Sequence, residues 1–229
     1  MKITTVLLDA GGIILDESDH ERVRADIIVE TLRETIPGYS KSDYHSDVEE
    51  AIILFAPRVY QYVFWKNSKD DLDKFDKLYH LHLEKWKRLR PPLKLSSGIE
   101  SELKSISKYF DLGIAGQYGG EIIDLLEKNS LLDYFTCHLT QDDFSLTKPD
   151  PRYYEQIVQR FGVFPQQCIM VGDRIDNDII PAKKLGMRTV LVQVGIHKNQ
   201  KPRIPFEIPD LELNSVSGLA QAILKVAEM

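Results

Sequence analysis

Three carboxylates crowd one short segment of the chain, directly after a run of apolar residues. Asp173, Asp176 and Asp178 lie within six positions of one another, and the apolar run before them ends at Gly172. Carboxylates at this spacing repel one another unless a cation or strong hydrogen-bond donors lie between them. The segment therefore predicts one half of a divalent-metal site, on a loop that follows a buried strand.

A further carboxylate, Asp9, follows a second short apolar run. The run covers residues 3–8, is rich in β-branched side chains, and leads through Asp9 into the turn Ala10-Gly11-Gly12. In an open α/β sheet, ligands bind at the carboxyl ends of the strands, and a carboxylate there serves as a covalent nucleophile or a metal ligand. Asp9 is therefore predicted to supply the other half of the site.

Periodic patterns divide the rest of the chain into two regions. Between residue 17 and about residue 90, apolar residues recur at helical spacing and no strand is evident. The clearest helix is predicted over residues 73–90, and Pro91-Pro92 stops it. After that, helical stripes alternate with short apolar runs, and one further helix is expected over residues 178–185. The strands predicted in this second region are residues 111–115, 135–139, 168–171 and 189–193.

Strands that alternate with helices indicate a parallel, doubly wound sheet, so the predicted fold class is α/β with a Rossmann-like core. Residues 1–16 and 92–229 are assigned to this core, and residues 17–91 to a small all-helical cap inserted after the first strand. An insertion at that point is expected to lie over Asp9, where a lid excludes water and selects the substrate. Residues 195–209, rich in Lys and Pro, are expected to form a long surface loop.

Composition excludes several classes of function. The 229 residues carry a formal net charge of -6, which provides no basic surface for nucleic acid or an anionic membrane. No apolar run approaches the roughly 20 residues that span a bilayer, and the first residues lack a secretory pattern. Cys137 and Cys168 both fall in strand-like runs and are expected to be buried free thiols of a cytoplasmic protein.

Four stretches of the chain together carry a family pattern. In chain order they are residues 6–16 (VLLDAGGIILD), 109–117 (YFDLGIAGQ), 146–151 (LTKPDP) and 171–187 (VGDRIDNDIIPAKKLGM). In this order and at these spacings they resemble the haloacid dehalogenase-like hydrolase superfamily, in its phosphatase type with a helical cap after the first strand. The resemblance covers most of the predicted core and implies the same doubly wound fold.

The resemblance also implies a role for each matching residue. Asp9 matches the nucleophile that accepts a phosphoryl group as an aspartyl-phosphate, and Lys148 matches the lysine that neutralises the nucleophile and the phosphoryl oxygens. Mg²⁺ is the implied cofactor, and hard oxygen ligands suit this ion. The implied metal ligands are Asp9, the backbone carbonyl of Gly11, Asp173 and Asp178, with Asp176 as the alternative to Asp178. The residues expected to bind phosphate are Gly11, Gly12, Gly116, Gln117 and Lys148.

Two positions depart from the family pattern. Phosphatases of this superfamily carry a second Asp two positions after the nucleophile, as general acid and base, where this chain has Gly11. The backbone carbonyl survives the change, whereas the loss of a general acid costs roughly 10²- to 10⁴-fold in rate. Gly116 stands where a Ser or Thr hydroxyl usually holds the phosphoryl group. The N–H groups of Gly116 and Gln117, with the Gln117 amide, are the donors that remain.

The predicted function is slow, Mg²⁺-dependent hydrolysis of a small phosphorylated molecule. No nucleic acid or membrane partner is expected, and the protein is expected to be a monomer or a homodimer. A substitute for the missing acid is expected nearby, and the candidates are Asp16, Glu17 and His20. A second class of function is a protein that binds a phosphate ligand, or another protein, without turnover.

Different chemistry on the same scaffold is the remaining alternative. Relatives that act on carbon–halogen or carbon–phosphorus bonds also replace the second Asp. The halide-displacing kind has no need for the acids around Asp173. The phosphonate-cleaving kind uses a cap lysine as a Schiff base, and such a lysine needs a desolvated pocket. Lys41, Lys66 and Lys69 are the lysines available for that role.

Overall fold

The computed structural model describes every residue from Met1 to Met229 and divides the chain into two compact units. One unit combines Met1–Asp16 with Leu93–Met229, and the other consists of Glu17–Pro92. The first unit contains a five-stranded sheet with helices, and the second contains helices alone. The prediction of an α/β, Rossmann-like fold is therefore confirmed.

The sheet of the first unit is parallel throughout. Its strands are β1 (Thr5–Leu8), β2 (Asp111–Ile114), β3 (Cys168–Gly172), β4 (Arg188–Val192) and β5 (Leu211–Leu213). Their order is β2-β1-β3-β4-β5. Leu8 of β1 is level with Ile114 on one side and with Val171 on the other. The strand order reverses between β1 and β3, so a crevice forms at the carboxyl ends of these two strands.

The second unit consists of four helices, two of which begin at a side-chain cap. They are α1 (Ser18–Arg33), α2 (Lys41–Ile53), α3 (Val59–Ser68) and α4 (Leu72–Leu89). At the start of α2, the Ser40 hydroxyl accepts a hydrogen bond from the Asp43 N–H, and the Asp43 carboxylate accepts one from the Ser40 N–H. At the start of α4, Asp71 accepts a hydrogen bond from the Lys74 N–H. The apolar side chains buried in this unit include Ile28, Leu32, Val63, Phe64 and Leu78.

Helices cover both faces of the sheet. Successive residues of a strand point to opposite faces, so neighbouring apolar residues of one strand pack against different helices. They are α5 (Ile99–Ile106), α6 (Glu121–Lys128), α7 (Pro151–Phe161), α8 (Ile180–Lys184) and α9 (Leu219–Ala227). Val6 and Leu8 belong to the apolar cluster with α5, α6 and α9, whereas Leu7 belongs to the cluster with α7 and α8. No helix of either unit combines the length and the apolar character that a membrane crossing requires.

Two local predictions, both about residues 135–139, were wrong. Residues 135–139 form no strand, and a single bridge joins Cys137 to Gly113 of β2; Cys137 is half-buried rather than buried. The helix expected from residue 178 begins earlier, with a π-helical turn at Ile175–Ile179, and continues as α8. Strand β5 was not predicted at all.

Candidate active site

The carboxyl ends of β1 and β3 place two of the predicted carboxylates at the same point of the sheet. The Asp9 N–H donates a hydrogen bond to the Val171 carbonyl at 2.8 Å, which ties the residue after β1 to β3. Asp173 follows directly after Gly172, the last residue of β3. Both residues therefore lie where the strand order reverses.

Asp9, Asp173 and Asp178 form a carboxylate cluster, in which their ligand oxygens lie within 4.8 Å of one another. Asp178 is fully buried and Asp173 is nearly so. Asp176, the alternative to Asp178, is not part of the cluster, because its carboxylate pairs with Arg174. The structure therefore brings Asp178, and not Asp176, next to Asp9 and Asp173.

Lys148 lies within the carboxylate cluster as a buried cation. Its Nζ atom is 2.6 Å from Asp9 Oδ1 and 2.6 Å from Asp178 Oδ1, and its side chain is 1% exposed. Burial lowers the pKa of Lys148, but the charges of Asp178 and Asp9 outweigh burial and raise the pKa well above its ordinary value. Lys148 is therefore charged at neutral pH and offsets one of the carboxylate charges.

Several donors hold the Asp178 carboxylate in place. Besides Lys148, its Oδ1 atom accepts a hydrogen bond from the Tyr154 hydroxyl at 3.2 Å, and its Oδ2 atom accepts one from the Arg174 N–H at 3.1 Å. Gly172 makes room for this side chain, since a Cβ atom on Gly172 would lie 2.4 Å from Asp178 Cγ. Sequence patterns describe Tyr154 only as part of a helical stripe, and the structure adds it to the site.

Gly11 and Gly12 form the turn that follows Asp9. Gly11 is buried. Gly12 has a φ angle of +70°, in the left-handed region that favours glycine, and a Cβ atom on it would lie 3.3 Å from Asp173 Oδ2 and 3.0 Å from Val194 Cγ2. The turn therefore passes close to Asp173 because it carries no side chain at this point.

Gly116 follows the end of β2, and the surrounding structure leaves no room for a side chain there. A Cβ atom on Gly116 would lie 2.4 Å from Ala10 Cβ. The Gly116 carbonyl accepts a hydrogen bond from the Tyr153 hydroxyl at 3.1 Å, which fixes the backbone. Gln117 is exposed, and no side-chain hydrogen bond holds its amide at the site. Of the two predicted phosphate-binding residues after β2, only Gly116 is therefore held in place.

Replacing Gly116 by serine is expected to destabilise the protein rather than to supply a hydroxyl. The new Cβ atom would overlap Ala10, and overpacking a buried site costs about 1–3 kcal/mol. Chemical denaturation measures the loss in the free energy of unfolding. Gly120→Ser is the matched control, because a Cβ atom on Gly120 meets no atom within 4 Å. Equal stability of the two variants would show that the clash with Ala10 is relieved at no cost.

Two of the side chains considered as substitute acids are engaged elsewhere. Asp16 pairs with Lys94 at 3.2 Å. The His20 ring packs against Trp86 within the helical unit, with ring centroids 5.6 Å apart. Each of these contacts is made with a residue outside the carboxylate cluster.

The lysines considered for Schiff-base chemistry lie at the surface. Lys41 pairs with Asp26 at 2.6 Å, Lys66 pairs with Asp47 at 2.7 Å, and Lys69 is exposed. The hydrogen bond to Asp47 is the largest of the effects that raise the pKa of Lys66. A Schiff-base lysine needs a lowered pKa and a desolvated pocket. The environment of Lys66 is therefore the opposite of the one that phosphonate cleavage requires.

A buried amide that the sequence patterns do not reveal supports the acidic loop after β3. Gln200 Oε1 accepts a hydrogen bond from the Ile175 N–H at 2.7 Å, and Gln200 Nε2 donates one to Asp176 Oδ1 at 2.9 Å. Asp176 also accepts hydrogen bonds from the Arg174 guanidinium. Part of the predicted surface loop over residues 195–209 therefore turns inward and braces the segment that carries the carboxylates.

The match to a family model covers most of the chain. Residues 7–192 match the model described as haloacid dehalogenase-like hydrolase. The chain belongs to this family. The matched range contains Asp9, Lys148, Asp173 and Asp178, so the carboxylate cluster and its lysine lie within the haloacid dehalogenase-like region.

Several haloacid dehalogenase-like phosphatases are similar to this chain. Phosphoglycolate phosphatase from Vibrio vulnificus is 24% identical over 232 residues, which cover 97% of each chain. Glyceraldehyde 3-phosphate phosphatase from Methanopyrus kandleri is 31% identical over 95 residues, and this match spans only 42% of the present chain and 41% of the relative. The crystal structure of a phosphatase of this family from Thermococcus onnurineus superposes with a TM-score of 0.58 at 26% identity, covering 96% of this chain and 98% of the other.

The donor set of this haloacid dehalogenase-like hydrolase fits Mg²⁺. Asp9, Asp173 and Asp178 supply oxygen atoms only, which are the ligands that Mg²⁺ prefers. Three carboxylates and the Lys148 ammonium leave a formal charge of −2, which one divalent cation neutralises. Gly12 keeps the turn after β1 clear of Asp173. The arrangement is therefore suited to hold a hard divalent cation next to the Asp9 carboxylate.

Proposed function

We propose that the protein is a Mg²⁺-dependent phosphatase that transfers the phosphoryl group of a small phosphorylated molecule to Asp9 and then to water. The observation that carries the proposal is the position of Lys148 Nζ, 2.6 Å from the Asp9 carboxylate and inside a cluster whose formal charge suits a divalent cation. The phosphatase names of the similar proteins support the same reaction class. We place the protein in the cytoplasm, where Cys137 and Cys168 stay reduced.

Asp9 acts as the nucleophile. Its carboxylate oxygen attacks phosphorus, the bond to the leaving oxygen breaks, and the product is an aspartyl-phosphate; water then attacks phosphorus and regenerates the carboxylate. The Lys148 ammonium offsets the charge of Asp9 and of the phosphoryl oxygens, so that two anions approach each other. Asp9, the Gly11 carbonyl, Asp173 and Asp178 would hold Mg²⁺, which would supply further positive charge to the phosphoryl oxygens. The remaining phosphoryl contacts are assigned to the turns at Gly11, Gly12, Gly116 and Gln117.

Because Gly11 has no acidic side chain, the rate of hydrolysis is expected to depend on how much protonation the leaving group of the substrate needs. An alkoxide leaving group needs a proton as its bond to phosphorus breaks, and no acid occupies the usual position two residues after Asp9. Aryl and acyl leaving groups need little protonation. The protein is therefore expected to cleave aryl or acyl phosphates and to be poor on sugar phosphates.

The test of this function is hydrolysis of p-nitrophenyl phosphate and glycerol 2-phosphate by the purified protein, in Mg²⁺ and in EDTA. We expect Mg²⁺-dependent release of p-nitrophenol, and slower cleavage of the alkyl ester by about 10²-fold or more. If neither ester is cleaved while inorganic phosphate still binds, the proposal fails. The lack of side chains at Gly11 and Gly116 would then support the alternative function, a protein that binds phosphate without turnover.

Installing the missing acid is expected to extend the substrate range. Gly11→Asp should raise the rate on glycerol 2-phosphate by about 10²- to 10⁴-fold, because it protonates the leaving alkoxide, and should also raise the steady-state rate on p-nitrophenyl phosphate, because it activates the water that attacks the aspartyl-phosphate. Steady-state kinetics on the two esters measure the difference. Gly11→Asn is the matched control, since it has the same size but donates no acidic proton. Equal rates for the two variants on glycerol 2-phosphate would contradict the role assigned to this position.

A further inference from the structure

The helical unit contains its own group of polar and aromatic side chains, separate in sequence from the carboxylate cluster. All four helices contribute to the group, which we call the Arg24 cluster. Its members are Glu21 and Arg24 of α1, Tyr44 of α2, Tyr60 of α3, and His82 and Trp86 of α4.

The Arg24 guanidinium lies against two aromatic rings, and its Nε atom lacks a hydrogen-bond partner. Its guanidinium carbon lies 4.3 Å from the centroid of the Tyr60 ring and 3.7 Å from that of the Trp86 ring. The side chain is 19% exposed, and its one charged neighbour is Glu21, with 3.8 Å between Arg24 Nε and Glu21 Oε1. That distance is too long for a hydrogen bond, and Arg24 Nε is buried without one. The Nε–H group of Arg24 is therefore available to donate a hydrogen bond to a ligand.

Three further atoms of the cluster are buried without a hydrogen-bond partner. They are Glu21 Oε2, the Tyr44 hydroxyl and His82 Nδ1. The residues Tyr44 and His82 are only 2% and 1% exposed. A buried polar group without a partner costs about 1–3 kcal/mol, and native proteins contain few of them. Their concentration on packed helices indicates that something other than the polypeptide pairs with them.

Charge interactions show that these groups are neighbours. Burial raises the pKa of the Tyr44 hydroxyl, and the charges of Glu21 and Arg24 act on it as well. Burial and the charge of Arg24 lower the pKa of His82 to about 4, so the imidazole is neutral at pH 7. Burial likewise raises the pKa of Glu21, against the effect of its hydrogen bond from Tyr60. Burial therefore disfavours the charged forms of both Glu21 and His82 in this cluster.

We propose that the Arg24 cluster is a binding site for the carboxylate of a small organic acid. The carboxylate accepts hydrogen bonds from Arg24 and from the Tyr44 hydroxyl, and a hydroxyl group of the ligand donates to Glu21 Oε2. This pairing provides partners for the unpartnered atoms of Arg24, Tyr44 and Glu21, and leaves His82 Nδ1 as the one atom of the cluster without a partner.

The geometry of Arg24 favours a carboxylate over other anions. The Tyr60 and Trp86 rings lie against the Arg24 guanidinium, which leaves its N–H edge for polar contacts. That edge matches the two coplanar oxygens of a carboxylate. A phosphate dianion would bring a second negative charge next to Glu21, which lies 3.8 Å from Arg24. The binding site therefore suits a monoanion, and its occupation does not depend on the proposed hydrolysis.

Trp86 fluorescence provides a direct test, because the Arg24 guanidinium lies against its ring. The chain contains two tryptophans, so Trp65→Phe leaves Trp86 as the single reporter in an otherwise full-length protein. Glycolate is the probe, since it carries one carboxylate and one hydroxyl. Ethylene glycol, and sodium chloride at matched ionic strength, are the controls. We expect a saturable change with glycolate and none with the controls.

Two variants separate ligand binding from a structural role. Arg24→Lys keeps the charge but loses the planar edge, and is expected to weaken glycolate binding by at least about 30-fold. Arg22→Lys, on the same helix with a side chain 63% exposed, is expected to leave binding unchanged. Tyr44→Phe removes one buried, unpartnered hydroxyl, so it should weaken binding several-fold while thermal stability stays equal or rises.

The outcomes that overturn the proposal are equally specific. One is the lack of a saturable signal with glycolate. Another is equal affinity of the Arg24→Lys and Arg22→Lys variants. If circular dichroism shows that Arg24→Lys is unfolded, Tyr44→Phe decides alone: unchanged glycolate affinity in that variant means that the cluster is structural and the proposal fails.

Discussion

Replacing Asp9 by asparagine is expected to reduce hydrolysis of p-nitrophenyl phosphate by about 10⁴- to 10⁶-fold, in the range seen when a catalytic nucleophile is removed. The amide has nearly the shape of the carboxylate but does not form an acyl phosphate. It also replaces one of three oxygen ligands that lie within 4.8 Å of one another, so metal affinity falls as well. Steady-state kinetics at saturating Mg²⁺ measure the loss of turnover.

The control for this result is the same substitution at a nearby acid. Asp16 pairs with Lys94 rather than with Lys148, so Asp16→Asn is expected to retain activity. Hydrolysis that survives in Asp9→Asn would exclude Asp9 as the nucleophile. Loss of activity in both variants would show that the effect is not specific to Asp9, because Asp16 lies outside the carboxylate cluster.

Replacing Lys148 by methionine is expected to have the largest effect on stability. The ammonium lies 2.6 Å from a carboxylate oxygen of both Asp9 and Asp178, and its removal leaves two closely spaced acids without their cation. Breaking a buried ion pair by removing one partner costs about 3–5 kcal/mol. Urea denaturation in EDTA measures the loss without compensation by a metal.

The sign of the pH dependence follows from the raised pKa of Lys148. A group whose pKa is raised by folding contributes stability that is fully present below its unfolded pKa and is lost as the pH rises through its folded pKa. The difference between wild type and Lys148→Met is therefore expected to persist at neutral pH and to shrink as the pH rises into the alkaline range. A difference that disappears near neutrality would contradict the assignment of a charged lysine.

A second substitution separates stability from catalysis. In the double variant Lys148→Met with Asp178→Asn, one of the two unpaired acids becomes neutral, so most of the lost stability should return. Activity should not return, because the phosphoryl oxygens still lack the ammonium. Recovery of activity along with stability would show that Lys148 supports only the fold.

The position of the candidate site was predictable because of where the acids fall along the chain. Asp9 and Asp173 each follow an apolar strand within one residue or two, and the carboxyl ends of parallel strands share an edge. Local patterns alone do not distinguish Lys148 from an exposed lysine before a proline. The family resemblance predicted that Lys148 belongs to the site. In the structure its side chain is 1% exposed and lies between Asp9 and Asp178.

The supporting side chains were not predictable, because their roles depend on contacts between distant positions. Tyr154 donates to Asp178 across 24 positions, and Gln200 accepts from the Ile175 N–H across 25. The sequence pattern explains both residues without a functional site: Tyr154 belongs to the apolar stripe of a helix, and Gln200 lies in a predicted surface loop. Only the folded chain shows that they orient the acidic loop.

The strand expected at residues 135–139 failed for a different physical reason. The alternation of apolar and polar residues there is typical of a strand, but β2 is the outer strand on that side of the sheet. A ladder needs several consecutive pairs, and the segment makes one bridge, between Cys137 and Gly113. An alternation of apolar and polar residues indicates which side chains are buried. It does not determine how many backbone hydrogen bonds the segment forms with a neighbouring strand.

The most direct test of the account is a rapid-mixing experiment with excess p-nitrophenyl phosphate and Mg²⁺. Transfer to Asp9 needs no acid with this leaving group, whereas water attack on the aspartyl-phosphate lacks the base that Gly11 replaces. We therefore predict a burst of one p-nitrophenolate per protein molecule, then slow turnover, and acid-quenched protein that carries a phosphoryl group in wild type but not in Asp9→Asn. Linear release from the first turnover, with no covalent phosphate on the protein, would contradict the proposed mechanism.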